Sequence, residues 1–338
     1  MADTIRRSLL AAAMAGTMLA MAPASASAQE DYLLATASTG GTYYPVGVAI
    51  ATLVKVRLQN QHGINMSAIS SAGSGENIRL MRDNEAQFSI LQGLFGAYAA
   101  TGTGDLADAG PQENLRSIAQ LWPNVEHFVL RADLAPTGTI EDMANARGQT
   151  VSMGLQNSGT LGSNEVLMAN LGMPLSEFEL AFMGYNPSAD ALQNNQIAAA
   201  SMPAGVPVSA VTRVFAAMGD GVRLLGFTEE QIAQANGEFG DLWVAYPIPA
   251  GTYPGQTQEI VTIGQPNFLA VNADVPEETV YLITQAMFEN LPFLQAIHPA
   301  TNEMNLETAL DGLPLPLHPG ALRYFEEAGL TIPDRLRP

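Results

Sequence analysis

The sequence contains no cysteine and only one lysine, Lys55. Without cysteine the chain has no disulfide, no thiolate metal site and no N-terminal cysteine that could carry a lipid anchor. Histidine is also scarce, and His62, His127, His298 and His318 are too scattered to show metal-ligand spacing. We therefore expect no bound metal and structural roles for the four histidines.

Basic residues of either kind are few. Lysine and arginine together number 14, aspartate and glutamate number 33, and the formal net charge is −19. A polyanion of this size is a poor partner for nucleic acid or for an anionic membrane surface. If the protein binds an anion, local dipoles such as helix N-termini must hold it, because the long-range field of the chain repels it.

The first 28 residues have the pattern of a secretory signal peptide. Arg6 and Arg7 precede a small and apolar run at 9–22, and the Ala-Ser-Ala-Ser-Ala sequence at 24–28 ends in a cleavage site. No later stretch approaches about 20 uninterrupted apolar residues. We predict cleavage after residue 28, export of the remaining 310 residues (338 − 28) to the periplasm, and no membrane span in the mature chain.

A glycine-rich turn lies at 38–47, with the sequence Ser-Thr-Gly-Gly-Thr-Tyr-Tyr-Pro-Val-Gly. It follows an apolar run at 32–37 that predicts a strand, and it precedes apolar residues at helical spacing over 46–58. Two glycines allow a sharp turn and a close approach to a ligand, and Pro45 favours the first helical turn. The orphan N–H groups of such a helix attract a carboxylate or phosphate, although the same turn also serves as a plain connection.

The pattern of strand, small-residue turn and helix recurs along the chain and starts again near residue 150. Runs at 65–70, 88–92 and 115–122 predict strands of a first unit, and runs at 125–131 and 150–154 predict strands of a second. This alternation favours an α/β fold of two lobes, each with a parallel sheet and helices on both faces.

The length of the chain suits two lobes that are joined by two crossings. We place the crossings near Pro123 and in the proline- and glycine-rich stretch at 246–255. The predicted organisation is a signal peptide at 1–28, the first part of lobe I at 29–124, lobe II at 125–245, and the second part of lobe I with the C-terminal helices at 246–338.

Three further stretches carry polar groups that suit a small anion. In the turn at 73–77, Ser74 can cap a helix and Asn77 offers a donor and an acceptor, although a plain N-cap explains both equally well. Gln92 ends its strand, and open α/β sheets bind ligands outside the carboxyl ends of their strands. The turn at 157–160, Asn-Ser-Gly-Thr, opens a helix in the second unit, so two such turns would hold a ligand from both sides of a cleft.

Motifs along the whole mature chain resemble those of the TAXI group of solute-binding proteins, the receptors of tripartite ATP-independent periplasmic (TRAP) transporters. They occur in the order found in that family, from the N-terminus of the mature chain nearly to its C-terminus. The matching stretches are 38–45, 74–79, 88–92, 159–160, 248–255, 273–277, 288–290, 317–321 and 323–324.

The resemblance implies a two-lobe periplasmic-binding-protein fold of type II topology that closes on a small solute in the cleft and presents it to a sodium-driven permease. Family members with known ligands favour small carboxylates, notably glutamate, glutamine and 2-oxoglutarate. The matching positions, with their neighbours in the same turns, give this predicted ligand-binding set: Thr39, Gly41, Thr42, Tyr43, Ser74, Asn77, Gln92, Asn157, Ser158, Gly159 and Thr160.

The chain departs from the family pattern in the second lobe. Asn157 stands where the family usually has glycine, residues 194–199 replace an acidic, glycine-containing turn, and residues 202–207 keep glycine and proline among altered neighbours. These changes leave the identity of the solute open. We expect uncharged hydrogen-bond donors to make most of the contacts with the solute, because no cluster of cationic residues accompanies the motifs. Arg79 and Arg131 are the nearest cationic candidates, and each also fits an exposed surface position.

Two other functions stay open. An enzyme on the same fold would need a catalytic motif, and the sequence has no G-x-S-x-G, P-loop or H-E-x-x-H pattern, while 102–107 resembles a dinucleotide fingerprint without the preceding strand. A receptor that signals through a membrane protein instead of a permease has the same sequence features as a transport receptor. We expect a monomeric receptor without catalytic activity or cofactor, which binds a small carboxylate and TRAP permease subunits.

Overall fold

Two β-sheets with helices packed against them organise residues 29–338, which are the residues that this computed structural model describes. The predicted signal peptide at 1–28 lies outside the described residues. The strands are β1 (Glu30–Ala35), β2 (Ile64–Ile69), β3 (Phe88–Gln92), β4 (Leu115–Val125), β5 (Phe128–Arg131), β6 (Thr150–Ser152), β7 (Glu179–Leu180), β8 (Ala199–Ser201), β9 (Val222–Leu224), β10 (Val244–Ile248) and β11 (Ile260–Asn272).

The longer helices begin mostly at the ends of strands. They are α1 (Tyr43–His62), α2 (Ser74–Arg82), α3 (Gly93–Thr101), α4 (Gly159–Asn170), α5 (Tyr185–Gln193), α6 (Ser209–Met218), α7 (Glu229–Asn236), α8 (Glu277–Glu289), α9 (Leu291–Gln295) and α10 (Pro319–Glu327). Within residues 29–338, none of the helices combines the length and the apolar content that crossing a membrane requires.

The first sheet has six strands in the order β2–β1–β3–β11, with β4 and β10 both paired to β11. Strand β1 runs parallel to β2 and β3, whereas β11 is antiparallel to β3, β4 and β10. The predicted all-parallel sheet is therefore wrong for the β11 side. The physical reason is that β11 returns to this sheet from the other one, where Phe227 N donates to Val261 O at 2.8 Å, and so runs in the opposite direction.

The second sheet has five strands in the order β7–β6–β8–β5–β9. Strand β6 is parallel to β7 and β8, and β5 is antiparallel to β8 and β9. Strand for strand, this repeats the arrangement β2–β1–β3–β11–β4 of the first sheet. The molecule thus has two lobes of one topology, and we call the part around the first sheet lobe I and the part around the second sheet lobe II.

The crossing from lobe I to lobe II is short. Strand β4 belongs to the first sheet and β5 to the second, and only Glu126 and His127 separate them. The strands of the first sheet come from residues 30–125 and 244–272, and those of the second sheet come from 128–224. The exact lobe boundaries stay a prediction.

Helix α1 shows how the local sequence fixes an element that the site needs. Its apolar residues Val46, Ile50 and Leu53 are buried against the sheet, as their helical spacing predicts. Gly47 allows close approach to β1, since a Cβ there would lie 2.4 Å from Thr36 Cγ2. Burying each large apolar side chain contributes about 1.5–3 kcal/mol, so the packing of α1 also fixes the position of its N-terminus.

Candidate functional site

A cavity of about 30 Å³ lies between the two lobes, next to the carboxyl ends of β1 and β3. Lobe I contributes Ala37, Ser38, Gly41, Thr42, Tyr43, Ala72, Gly73, Ser74, Gln92 and Asn124 to its wall, and lobe II contributes Gly159, Thr160, Tyr185, Pro203 and Ala204. A cavity of this size holds about two water molecules, whereas one that holds benzene measures roughly 150 Å³. The lobes are therefore closer together than a bound solute of amino-acid size permits.

The N-termini of five helices, α1 to α5, meet at this cavity. Each helix contributes its capping residue, its first residues or both: Thr42 and Tyr43 in α1, Gly73 and Ser74 in α2, Gln92 in α3, Gly159 and Thr160 in α4, and Tyr185 in α5. The first N–H groups of a helix have no partner within it, and the helix dipole places partial positive charge at that end. The lining residues include no lysine, arginine or histidine. The wall therefore suits a small anion that neutral donors hold.

Direct hydrogen bonds join the two lobes across the cavity. Gln92 Nε2 donates to Gly159 O at 2.8 Å and to Ser163 Oγ at 2.6 Å, and Thr42 Oγ1 donates to Gly205 O at 2.9 Å. Two polar side chains that were predicted to face a solute are thus bonded to the opposite lobe. A solute that enters the cleft would have to take over these bonds.

The close approach of the lobes depends on a glycine in the first turn of α2. Glu76 N of lobe I donates to Asn157 O of lobe II at 2.9 Å. A Cβ on Gly75 would lie 2.6 Å from that same carbonyl oxygen, so any other residue there would push the two backbones apart. The absence of a side chain at this position is therefore a condition for closure.

Seven of the predicted ligand-binding residues line the cavity, and four do not. The lining residues are Gly41, Thr42, Tyr43, Ser74, Gln92, Gly159 and Thr160, and those outside the wall are Thr39, Asn77, Asn157 and Ser158. The phenol of Tyr43 lines the cavity only in part, since its hydroxyl donates to Asn267 Oδ1 on β11 of lobe I.

Asn77 is buried and holds the ends of two strands instead of facing the cavity. Its Nδ2 donates to Thr36 O at 2.8 Å and to Ile90 O at 3.0 Å, and its Oδ1 accepts from Ser71 Oγ at 2.6 Å. These bonds consume the donors and the acceptor that made it a candidate. Thr39, by contrast, is exposed, and its Oγ1 accepts from Asn186 Nδ2 at 3.3 Å.

The remaining two predicted residues shape the second glycine turn. Asn157 has a positive φ of 61° and offers its carbonyl to lobe I, while its side chain is outside the cavity. Ser158 is the N-cap of α4, where its Oγ accepts from Leu161 N at 3.0 Å. Both residues therefore position the N-terminus of α4, which itself reaches the cavity through Gly159.

The two predicted cationic candidates lie outside the cavity wall and pair with acids. Arg79 Nη1 is 3.2 Å from Asp83 Oδ2, and Arg131 Nη2 is 2.5 Å from Asp133 Oδ2. The side chains of Arg79 and Asp83 are both about two-fifths exposed, so this pair is a surface feature and contributes little.

Sequence reasoning missed Tyr185, which closes the cavity from lobe II. Its hydroxyl donates to Pro203 O at 2.6 Å and lies 2.8 Å from Thr160 Oγ1. Its ring faces Gly41 of lobe I, where a Cβ would be 3.0 Å from the ring edge. The only signal in the sequence was the glycine before it, at the end of a short apolar run.

Sequence reasoning also missed a polar floor beneath the cavity, formed by alternate residues of β4 and β11. Asn124 Nδ2 donates to Gln92 Oε1 at 3.3 Å, and Gln265 Nε2 donates to Ser163 Oγ at 3.1 Å. Gln265 Oε1 also accepts from Leu94 N at 2.8 Å, which caps α3. The floor therefore connects β4 and β11 to α3 and α4, two of the helices that begin at the cavity.

Two titratable residues lie buried side by side at the crossing between the lobes. Burial raises the pKa of Glu126 to about 8, and the nearby indole N–H of Trp243 acts in the opposite direction. The indole N–H and the two carboxyl oxygens do not, however, meet the geometry of a hydrogen bond. Burial lowers the pKa of His127 to about 4. The His127 ring is fixed by Val125 O, 2.8 Å from Nδ1, and by the Tyr253 hydroxyl, 2.7 Å from Nε2. Both side chains are therefore neutral at pH 7 in this form.

Across residues 29–338, no group of three or more histidine, aspartate or glutamate side chains is arranged to hold a metal ion. The cavity thus offers backbone amides, hydroxyls and carboxamides as its binding groups. Such groups can bind and orient a solute.

Two lobes of repeated type II topology and a cavity between them define the periplasmic-binding-protein fold, as predicted. The match to the NMT1-like family covers residues 34–329, and the chain belongs to this family.

Solved structures agree with this fold. The periplasmic binding protein BugD is 14% identical, and the match covers 89% of this chain and 98% of BugD with a TM-score of 0.52. A protein from Bordetella bronchiseptica RB50 is 14% identical over 90% of this chain and 85% of its own, with a TM-score of 0.51. The alkanesulfonate-binding protein SsuA from Xanthomonas axonopodis pv. citri, bound to MOPS, is 11% identical over 89% of this chain and 92% of its own, with a TM-score of 0.45. At these identities the likeness to BugD and to the Bordetella protein, the two matches with a TM-score above 0.5, is one of fold alone.

Proposed function

We propose that the protein is a periplasmic solute-binding receptor that captures a small carboxylate between its lobes and delivers it to the permease of a TRAP transporter. The observation that carries this proposal is the convergence of five helix N-termini on one interlobe cavity whose lining has no cationic side chain. Helix N-termini attract carboxylates without the help of a basic patch.

The expected affinity fits a receptor that must release its cargo. A hydrogen bond to a charged carboxylate contributes roughly 1.5–3 kcal/mol, and a helix N-terminus adds roughly 0.3–2 kcal/mol. Four or five such contacts give about 8–12 kcal/mol before the cost of ordering is subtracted. Micromolar binding needs about 8 kcal/mol. Neutral donors alone therefore supply a gross interaction energy of the size that micromolar binding requires, and the cost of ordering keeps the net affinity in the range of a receptor that releases its solute.

Binding on this proposal includes an opening step. The cavity of about 30 Å³ excludes glutamate or 2-oxoglutarate while Gln92 and Thr42 bond directly to lobe II. The solute enters when the lobes separate, and its carboxylate then accepts hydrogen bonds from Gln92 Nε2 and Thr42 Oγ1. The lobes then close again around the solute, with a wider cavity than in the solute-free form.

A direct test combines a ligand screen with two truncations. Glutamate, glutamine, 2-oxoglutarate and malonate are screened by thermal shift on the mature chain, and the best ligand is titrated by calorimetry. We expect Thr42→Ala and Gln92→Ala to weaken binding at least tenfold, since each removes a donor to a charged group. Thr52→Ala and Gln61→Ala, at exposed positions of α1, serve as matched controls.

The outcomes separate the parts of the proposal. If no acid in the panel raises the melting temperature, the receptor function itself is wrong. If an acid binds and both truncations leave its affinity unchanged, these two residues do not belong to the site.

The TRAP partner and the periplasmic location rest on the sequence motifs, such as those at 38–45 and 248–255, and on the signal pattern at 1–28. The fold shared with BugD, a periplasmic binding protein by name, supports a receptor role. Uptake into proteoliposomes that contain TRAP membrane subunits tests the partner. We expect sodium-dependent uptake only when the loaded receptor is added.

A further inference from the structure

Glu126 is a completely buried acid that no group of the protein neutralises. Its exposed fraction is 0%, and neither carboxyl oxygen has a hydrogen-bond partner among the described residues. Asp142, a second buried acid, differs in this respect, because it accepts from Thr137 N and Gly138 N at 2.7–3.3 Å. A buried polar group without a partner is uncommon in a folded protein and calls for a specific explanation.

The backbone places Glu126 on the cavity side of the strand that joins the lobes. Glu126 N donates to Ile263 O at 2.8 Å and Glu126 O accepts from Thr262 Oγ1 at 2.9 Å, so the residue remains hydrogen-bonded to β11 just beyond the last strand pair, Val125 with Gly264. Alternate residues of an extended strand face the same side. Asn124, two residues earlier, lines the cavity, whereas Glu126 is not among the lining residues, so by this alternation its carboxyl lies behind the wall that Asn124 forms.

The neighbouring groups support this placement. Burial raises the pKa of Tyr43 and Tyr185 most, and the negative charge of Glu126 is a smaller influence in the same direction on each. These phenols reach the cavity from opposite lobes, on α1 and α5. From the position just before β5, His127 directs its ring nitrogens to Val125 O and Tyr253. From the segment before β10, Trp243 offers an indole N–H, which carries no charge.

We propose that Glu126 pairs with a protonated amine of the solute while the helix N-termini hold its carboxylate, so that the receptor selects amino acids over the corresponding 2-oxo acids. This inference rests on the proposed function and names the solute class of the same cleft. The net charge of −19 acts in the same direction, because it repels a dianion such as 2-oxoglutarate more than a zwitterion.

The pairing predicts a proton release. Glu126 holds its proton at pH 7 in the solute-free closed form, since its pKa is about 8. An ammonium group at hydrogen-bond distance favours the carboxylate form. The proton of the carboxyl then passes to solvent as the ammonium–carboxylate pair forms, and close to one proton leaves per solute bound.

The experiment uses three pairs of ligands that differ only in amine or ketone: alanine and pyruvate, aspartate and oxaloacetate, glutamate and 2-oxoglutarate. The wild-type mature chain is titrated by calorimetry at pH 7 in two buffers of different ionisation enthalpy. For whichever pair binds, we expect the amino acid to bind at least tenfold more tightly than its 2-oxo acid, and its binding to release close to one proton.

Glu126→Gln and Glu126→Met then remove the charge at similar volume. Loss of a hydrogen bond to a charged group corresponds to a roughly ten- to hundredfold weaker affinity for the amino acid. Affinity for the 2-oxo acid should change less than threefold, and proton release should vanish. Glu113→Gln, at an exposed position before β4, is the control and should leave all values unchanged.

The wild-type titration decides the matter even if a variant fails to fold. Tighter binding of the 2-oxo acids, equal binding within each pair, or no proton release would overturn the role of Glu126 and leave the receptor function standing. Failure of every amino acid and every 2-oxo acid to bind would instead remove the proposed function.

Discussion

Glu126 and His127 are neighbours in the chain, and burial moves their pKa values in opposite directions. His127 titrates near pH 4 in the folded protein and near 6.5 in the unfolded chain, so its contribution to stability is present above pH 6.5 and is lost as the pH falls through 4. Glu126 titrates near pH 8 when folded and near 4.5 when unfolded, so its contribution is present below pH 4.5 and is lost as the pH rises through 8. The two effects oppose each other between pH 4.5 and 6.5.

Above pH 6.5 only the Glu126 effect remains, which gives a prediction at the scale of one residue. The free energy of unfolding of the wild type should fall by about 1.5 kcal/mol between pH 6.5 and 8. Glu126→Gln should remove this loss, because glutamine does not titrate. Urea unfolding of both proteins at the two pH values measures it, with Glu113→Gln as control. Parallel pH profiles for wild type and Glu126→Gln would show that Glu126 is ionised in the folded state.

At the scale of elements, helix α2 has two roles that the sequence pattern does not separate. Its N-terminus reaches the cavity through Ser74, whose Oγ accepts from Gln92 N at 3.2 Å. One turn further on, Asn77 ties the helix to the ends of β1 and β3. A residue at the same end of a helix can thus serve the ligand or the framework, according to the direction of its side chain.

Asn77→Ala should therefore lower stability more than it lowers affinity. It removes a buried carboxamide that makes four hydrogen bonds, one of them long at 3.5 Å, and we expect a loss on the order of 2–3 kcal/mol in the free energy of unfolding. The affinity of the folded fraction should change less than threefold at a temperature well below the melting point. Unfolding and calorimetric titration report the two quantities, and Asn60→Ala on the exposed side of α1 is the control. A large loss of affinity at unchanged stability would show instead that Asn77 belongs to the ligand-binding site.

The elements that the sequence predicted well are those with strong local patterns. The strand predicted at 88–92 is β3, and the helix predicted at 46–58 is the middle of α1. The predicted glycine turns at 38–47 and 157–160 do bring helix N-termini to one cavity. Each of these features follows from hydrophobic spacing and glycine placement within about 15 residues of chain, which a single sequence displays.

The parts that the sequence did not predict depend on distant pairing. The polar floor exists because β4 and β11, about 140 residues apart, pair so that Asn124 lies opposite Gln265 and both face the same side. Tyr185 reaches the cavity only because lobe II closes on Gly41. The antiparallel direction of β11 follows from the path of the chain through lobe II, which no local pattern records.

At the scale of the whole molecule, closure is a balance between solute contacts and direct contacts of the lobes. The closed form holds bonds from Gln92 and Thr42 to lobe II, and it brings the backbone of α2 against Asn157. The net free energy of binding is therefore the difference between the contacts that the solute makes and the direct lobe contacts that it replaces. A change that blocks the approach of the backbones raises the free energy of the closed forms and leaves the open form unchanged. If the solute-bound form keeps the contact between α2 and Asn157, such a change should lower affinity without touching any donor to the solute.

Gly75→Ala isolates this effect. Alanine favours the helix by about 1 kcal/mol over glycine. Inside lobe I its Cβ would lie 3.2 Å from Phe95 Cε1, which the ring relieves by a small shift, so lobe I should lose little stability. Its Cβ, however, would lie 2.6 Å from Asn157 O in the closed form, and backbone cannot move aside as a flexible side chain can. We expect the variant to bind the best acid of the panel ten- to a hundredfold more weakly, and small-angle scattering at saturating ligand should give a larger radius of gyration than for the wild type. Gly221→Ala, where a Cβ meets only ordinary contacts at 3.7 Å or more, is the matched control. If Gly75→Ala reaches wild-type affinity and size, then the two backbones do not touch in the solute-bound form, and closure stops short of the contact between α2 and Asn157.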